Sequence, residues 1–161
     1  MGVIVADRNL SKCQAVMSAV ELKAKIHDLC IRDLGIKNLE SVVRKKYIYG
    51  NDPYENMPKY VLELHQAKQR LHYLSDELIA NTRAANRTKM NSFRKCDLRL
   101  DYQERAVNNC EMLIGKLQDV VDFFWVDINI YKQYIDAIDA EIELLKNWIQ
   151  TTNKAKRELK H

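Results

Sequence analysis

The chain has 161 residues, with 26 Lys and Arg against 22 Asp and Glu for a net charge of +4, and only four Gly, two Pro and four Cys. That length fits one domain of about 150 residues and excludes a long multidomain enzyme. So little Gly and Pro excludes turn-rich sandwiches, Rossmann folds and phosphate-cradling loops, which need positive φ and close backbone approach.

With 47% apolar and 30% charged residues and a mean hydropathy of -0.43, the chain can bury a core in water, and an all-α fold is expected. Ser11 can cap a first helix whose apolar positions Val16, Val20, Leu22, Ile26, Leu29 and Cys30 recur at helical spacing, with Gly35 as its stop. A short basic segment from Asn38 to Tyr49 then reads as a connector, closed by the turn Gly50-Asn51-Asp52-Pro53. Pro58 suits the first turn of a second helix, striped by Val61, Leu64, Leu71, Leu74 and Leu78 and ending near Arg83. Asn81, Asn86 and Asn91 mark a polar linker. Ser92 can cap a long third helix carrying Phe93, Cys96, Leu100, Val107, Cys110, Ile114, Leu117 and Val121. After the corner Phe123-Phe124-Trp125, Asp127 can cap a fourth, with Ile128, Tyr131, Ile135, Ile138, Ile142, Leu145 and Ile149 inward. The polar stretch from Thr151 is expected to fray, so that a single domain spans the chain with 1–10 and 152–161 as flexible tails. Four such rods, roughly 35 to 48 Å long at 1.5 Å per residue, bury their stripes most economically as an up-down antiparallel four-helix bundle.

Catalytic and metal patterns are missing. Ferritin-like bundles need Glu-x-x-His pairs facing inward, and here only Glu158 precedes a His by three, at the terminus. His65 and His72 share a helix face without an accompanying carboxylate pattern. Neither C-x-x-C-H nor the Arg-x-x-x-x-His of helical ribonucleases occurs, and no nucleophile and base pair stands out, so the reading is a non-enzyme without a cofactor. Cys13, Cys30, Cys96 and Cys110 are far apart in helical segments and are expected to be buried, reduced thiols. Without a membrane span or a leader at Met1 to Ala6, the expected location is the cytoplasm.

Charge distribution is the main functional clue. Arg83, Arg87, Lys89, Arg94, Lys95, Arg99 and Arg105 face only Asp97, Asp101 and Glu104 in the same stretch. The following segment to Leu145 is acidic, with Glu111, Asp119, Asp122, Asp127, Asp136, Asp139, Glu141 and Glu143 against Lys116 and Lys132. At 100° per residue Arg94 and Arg105 superpose on the side opposite Phe93 and Leu100, with Lys95 and Arg99 at the flank. One end of the bundle is therefore expected to be basic, joined by Lys154, Lys156 and Arg157, and suited to sequence-independent phosphate binding. Few aromatics accompany these cations, which argues against base stacking. Leu98, Tyr102, Tyr134 and Trp148 fall near or outside the core stripes and suit a subunit interface.

Several runs resemble the Avd-like four-helix-bundle proteins that accompany diversity-generating retroelements. They are Ile31-Arg32-Asp33-Leu34-Gly35-Ile36-Lys37, Ala80-Asn81-Thr82, Tyr102-Gln103 with Ala106, Asn109-Cys110, Leu113 and Leu117-Gln118, and then Val126-Asp127, Tyr131, Tyr134, Ile138, Glu141-Ile142, Leu144-Leu145-Lys146 and Trp148. Trp125 and Ile149 depart from the family pattern of Pro and Arg. The resemblance implies a non-enzymatic accessory variability determinant: a basic homopentamer that binds the reverse transcriptase and its template RNA, or an RNA/DNA hybrid, and supports mutagenic cDNA synthesis. The alternative is a helical protein-interaction module whose basic patch meets an acidic partner, with no nucleic acid involved.

Overall fold

The computed structural model describes residues 13–46 and 53–159. Of these, 90% are helical and none lies in a strand. The elements are α1 (Gln14–Ile31), a 3-10 turn (Asp33–Gly35), α2 (Leu39–Lys46), α3 (Pro53–Arg87), α4 (Phe93–Phe124), a second 3-10 turn (Ile128–Tyr131) and α5 (Lys132–Glu158). No described helix is long and apolar enough to cross a membrane.

Buried positions advance by alternating steps of three and four. They are Ala15, Ala19, Leu22, Ile26 and Leu29 in α1, and Ala67, Leu71, Leu74 and Leu78 in α3. In α4 they are Cys96, Arg99, Gln103, Ala106, Cys110, Leu113, Leu117, Val120 and Phe124; Tyr131, Tyr134, Ile138, Glu141 and Leu145 follow, then Thr152 two steps on, past the half-buried Trp148. A repeat averaging 3.5 residues keeps one seam facing its neighbours along a whole rod. α1 packs on α3 and α5, α3 also on α2 and α4, and α4 on α5. Each fully buried Leu or Ile contributes about 1.5–3 kcal/mol relative to an exposed one.

Contacts between successive long helices run in opposite senses. From α1 to α3, Lys23 pairs with Asp76, His27 lies 5.2 Å from His72 by ring centroid, and Asp33 beyond α1 pairs with Lys68. From α3 to α4, Tyr60 meets Phe124, Asn81 donates to Asn109 at 2.8 Å, and the Thr88 carbonyl accepts from Arg99 at 3.0 Å. From α4 to α5, Lys156 pairs with Asp97 and Gln103 donates to Thr152 at 3.0 Å.

Several sequence expectations need correction. Within the expected connector, Leu39–Lys46 is a helix, residues 47–49 lying outside the described residues: the Asn38 side chain accepts from the Ser41 amide at 3.0 Å, and Val43 is fully buried. An eight-residue helix is marginal alone, so this packing, which a basic sequence conceals, is what holds α2. The Ser11 cap and residues 50–52 of the expected turn lie outside the described residues. Pro58 lies inside α3, which runs on to Arg87, so Asn81 and Asn86 are helical rather than linker. α5 continues to Glu158 instead of fraying at Thr151, because Thr152 is fully buried against Gln103. Val20, Val61, Phe93 and Ile128, expected inside, are exposed, whereas Tyr134, expected near or outside the core, is buried.

Ser92 does cap α4, its hydroxyl accepting from the Lys95 amide at 3.2 Å. Asp127 caps the second 3-10 turn through Asn129 at 3.0 Å, and α5 itself begins at Lys132. That turn sends Tyr131 inward, where its hydroxyl donates to the Leu34 carbonyl at 2.7 Å; burial pushes the phenol well above its usual range, keeping it a donor. Replacing Tyr131 by Phe is expected to cost about 1–3 kcal/mol, the penalty of leaving that carbonyl without its donor. Urea titration should give a lower midpoint at an unchanged slope.

Candidate nucleic-acid interface

The two longest helices meet at a five-residue turn between Arg87 and Phe93. Thr82 and Ala85 turn inward from the last turns of α3, so Arg83 and Arg87, one turn apart, are left on its outer face. Lys89 stands exposed on the turn, and Arg94 and Lys95 are exposed in the first turn of α4. None of these five cations is in an ion pair among the described residues, although four ion pairs occur elsewhere. Asp97, the nearest carboxylate along α4, is engaged by Lys156.

This arrangement opposes the helix field. A helix N-terminus carries about half a positive charge and favours Asp or Glu, with each such contact worth about 0.3–1 kcal/mol. The first turn of α4 has no acidic residue and holds two cations instead. Arg87 at the end of α3, and Lys156 and Arg157 at the end of α5, sit where the dipole favours them. Cations from three helix ends thus converge, and those on α4 are held there against a local cost. Residues that break a local rule without an evident internal gain are expected at functional or strained sites.

Two members of the sequence-derived set stand apart. Arg105 is exposed but lies about 16 Å along α4 from Arg94, its guanidinium 5.6 Å from the Tyr102 ring. The expectation that Arg99 stands on the outer flank beside Lys95 is corrected: Arg99 is 9% exposed. It occupies the buried seam of α4, where NH1 donates to the Thr88 carbonyl at 3.0 Å. Its guanidinium lies 5.0 Å from the half-buried Trp148 ring. Desolvation pulls its pKa down, and Nε is buried without a hydrogen-bond partner among the described residues.

The most unusual group away from this end is Glu141. It is fully buried, and neither carboxyl oxygen has a partner in hydrogen-bonding geometry among the described residues. Burial pushes its pKa up to about 7, with Ser18 on α1 offsetting part of the rise. In the sequence Glu141 counts only as one of the carboxylates of the acidic segment to Leu145; its place in the three-and-four repeat between Ile138 and Leu145 is the signal for burial.

Cys13, Cys30, Cys96 and Cys110 are free thiols. Burial lifts Cys30 to about 11, against a small lowering by Lys68. Burial raises Cys110 further, reinforced by Glu141 and Glu111. Thiols shifted upward are poor nucleophiles at neutral pH. No cluster of three His, Cys, Asp or Glu suited to a metal ion occurs among the described residues. An open hollow of about 430 Å³ between α3 and α4 is lined by Glu63, Asp119 and Asp122 with Lys116 and Phe123, toward the opposite end from the cations. Comparison with family models, curated proteins and solved structures finds no match to this chain.

Proposed function

We propose that the chain is a non-enzymatic accessory protein of a diversity-generating retroelement, an Avd-like up-down four-helix bundle that binds template RNA, or an RNA/DNA hybrid, and the cognate reverse transcriptase. The observation that carries this reading is the cluster of Arg83, Arg87, Lys89, Arg94 and Lys95, exposed, without an ion pair among the described residues and partly set against the α4 dipole. The opposed helix contacts and the 3.5-residue repeat support the bundle, and the family resemblance supports the partners and the pentamer. In this reading the cations neutralise phosphates and the polymerase supplies all the chemistry. Affinity then comes from counterion release and carries no sequence preference.

Titration of labelled RNA against the protein at increasing KCl tests it. Log affinity should fall linearly with log salt, by about 0.7–0.9 per phosphate contact. Arg87→Gln, Arg94→Gln and Lys95→Gln together should weaken binding more than about tenfold and reduce that slope by about two to three. Salt-insensitive binding, or unchanged affinity in the triple variant, would overturn the assignment. A protein-interaction module is the second reading, favoured by the outward Met17, Val20 and Ile31 of α1; it predicts no retention on RNA at physiological salt.

A further inference from the structure

We propose that Arg99 is a positioning residue for the cationic end, clamping the α3–α4 turn from below so that Arg87, Lys89 and Arg94 are presented as one preformed phosphate grip. The inference rests on the polyanion reading given above and assigns to a buried side chain a task distinct from contact with the ligand.

Thr88 is the pivot of this turn. Its amide is shared between the Ala84 and Ala85 carbonyls at 3.2 and 3.1 Å, and its hydroxyl donates to Ala84 at 2.8 Å. Its own carbonyl lies past the end of α3, where a helix leaves acceptors without partners. Arg99, two turns into α4, reaches back and donates NH1 to that carbonyl at 3.0 Å. On the far side the Ser92 hydroxyl accepts from the Lys95 amide at 3.2 Å. Lys89 is therefore carried on a turn fastened at both ends, with Arg87 and Arg94 at its edges.

The fastening is made by an expensive group. A buried cation without a carboxylate costs far more than a buried Met or Leu, and Arg99 has no ion pair among the described residues. Its guanidinium lies over the Trp148 ring of α5, 5.0 Å from the centroid, so α5 also supports the turn. A flat guanidinium can stack and donate in its own plane at once, whereas an ammonium cannot. A turn ordered before binding spares the complex the cost of immobilising Lys89 and its neighbours, and this is where the clamp acts on affinity.

The test uses full-length protein carrying Arg99→Met, Arg99→Lys or Trp148→Leu, the last keeping Arg99 but removing its shelf. Labelled duplex RNA binding is read alongside hydrogen exchange of the Thr88 and Lys95 amides, the hydrogen-bonded amides that close the turn. Arg99→Met should weaken binding by about tenfold, and adding Lys89→Gln should then cost nothing further. Arg99→Lys should not restore affinity, Trp148→Leu should shift it in the same direction, and each variant should speed exchange in the turn while α4 beyond Ala106 stays protected. Full affinity in Arg99→Met, additive loss with Lys89→Gln, or rescue by Lys would overturn the clamp. If Arg99→Met does not fold, Trp148→Leu decides by the same two readouts. Should the native protein fail to bind RNA, the accessory reading falls by itself. Turn exchange then decides the clamp separately, and native exchange rates in all the variants would reject it.

Discussion

Replacing Glu141 by Gln is expected to abolish most of a stability loss that the native protein suffers between about pH 4.5 and pH 7. Neither oxygen of the buried carboxyl has a partner in hydrogen-bonding geometry among the described residues, and its pKa, raised by burial and lowered only in part by Ser18, is about 7 against 4.5 for the unperturbed group. In this window the folded protein holds a proton that the unfolded chain has released. Stability therefore falls as pH rises from the unfolded value, and the loss levels off once pH passes the folded value. The difference amounts to roughly 3 kcal/mol at 1.36 kcal/mol per pH unit. For a domain of this size it corresponds to a midpoint of thermal unfolding lower by about 6–12 °C. Gln has nearly the same shape and cannot ionise, so the variant and native curves should lie close together near pH 5 and separate toward pH 8, with the variant the more stable. Cys110, the titratable neighbour on α4, has its pKa raised by burial and stays neutral across the same range. Parallel native and variant curves would show that water or a donor reaches Glu141.

The second large effect is expected at the turn after α1. Asp33, Leu34 and Gly35 all have positive φ, at 51°, 58° and 75°, and Leu34 is fully buried there. A left-handed non-Gly residue costs about 1–2 kcal/mol, so the turn persists because other contacts determine it. Its tethers are the Leu34 side chain, the Tyr131 hydroxyl on the Leu34 carbonyl, Lys68 on Asp33, and Arg32 donating to the Tyr134 hydroxyl at 2.6 Å. Leu34→Ala removes the apolar anchor and keeps the strain, for an expected loss of about 2–5 kcal/mol. Leu34→Gly removes the same anchor and releases the strain, so it should be the milder change by about 1 kcal/mol. That order is the reverse of the one in a helix interior, where Ala is better than Gly by about that amount. Chemical denaturation of both variants checks it, and a Gly variant no better than the Ala one would mean the backbone relaxes. Gly35 admits no side chain easily, since its φ of 75° strains any residue with a Cβ whatever the space around it.

Much of the helical character was legible in the sequence, because Ser92 is followed by a long amphipathic run and Ile138 and Leu145 recur inward at helical spacing. The phase of the seams was harder to read. Along α4 the buried series is Cys96, Arg99, Gln103, Ala106, Cys110, and two of its members look like surface residues to any hydropathy argument. Apolar neighbours such as Phe93 then drew the stripe out of phase, although Phe93 is exposed. Asn81 read as punctuation for a similar reason: its partner, Asn109, comes from another helix, and no local rule names such a partner. Thr152 was assigned to a fraying tail, yet Gln103 holds it in the core. The cationic cluster was visible as composition, but one of its seven members lies inside, because a guanidinium can satisfy a turn carbonyl and an indole face that spacing alone does not reveal.

The buried amides and hydroxyls also index the rods along their length. Apolar knobs and holes tolerate sliding by one helical turn of 5.4 Å, since Leu meets Leu again after the shift. The same slide would part Asn81 from Asn109 and Gln103 from Thr152, at about 1–3 kcal/mol for each polar group left stranded. Apolar positions elsewhere in the interior can therefore drift in sequence while the axial alignment of α3, α4 and α5 stays the same.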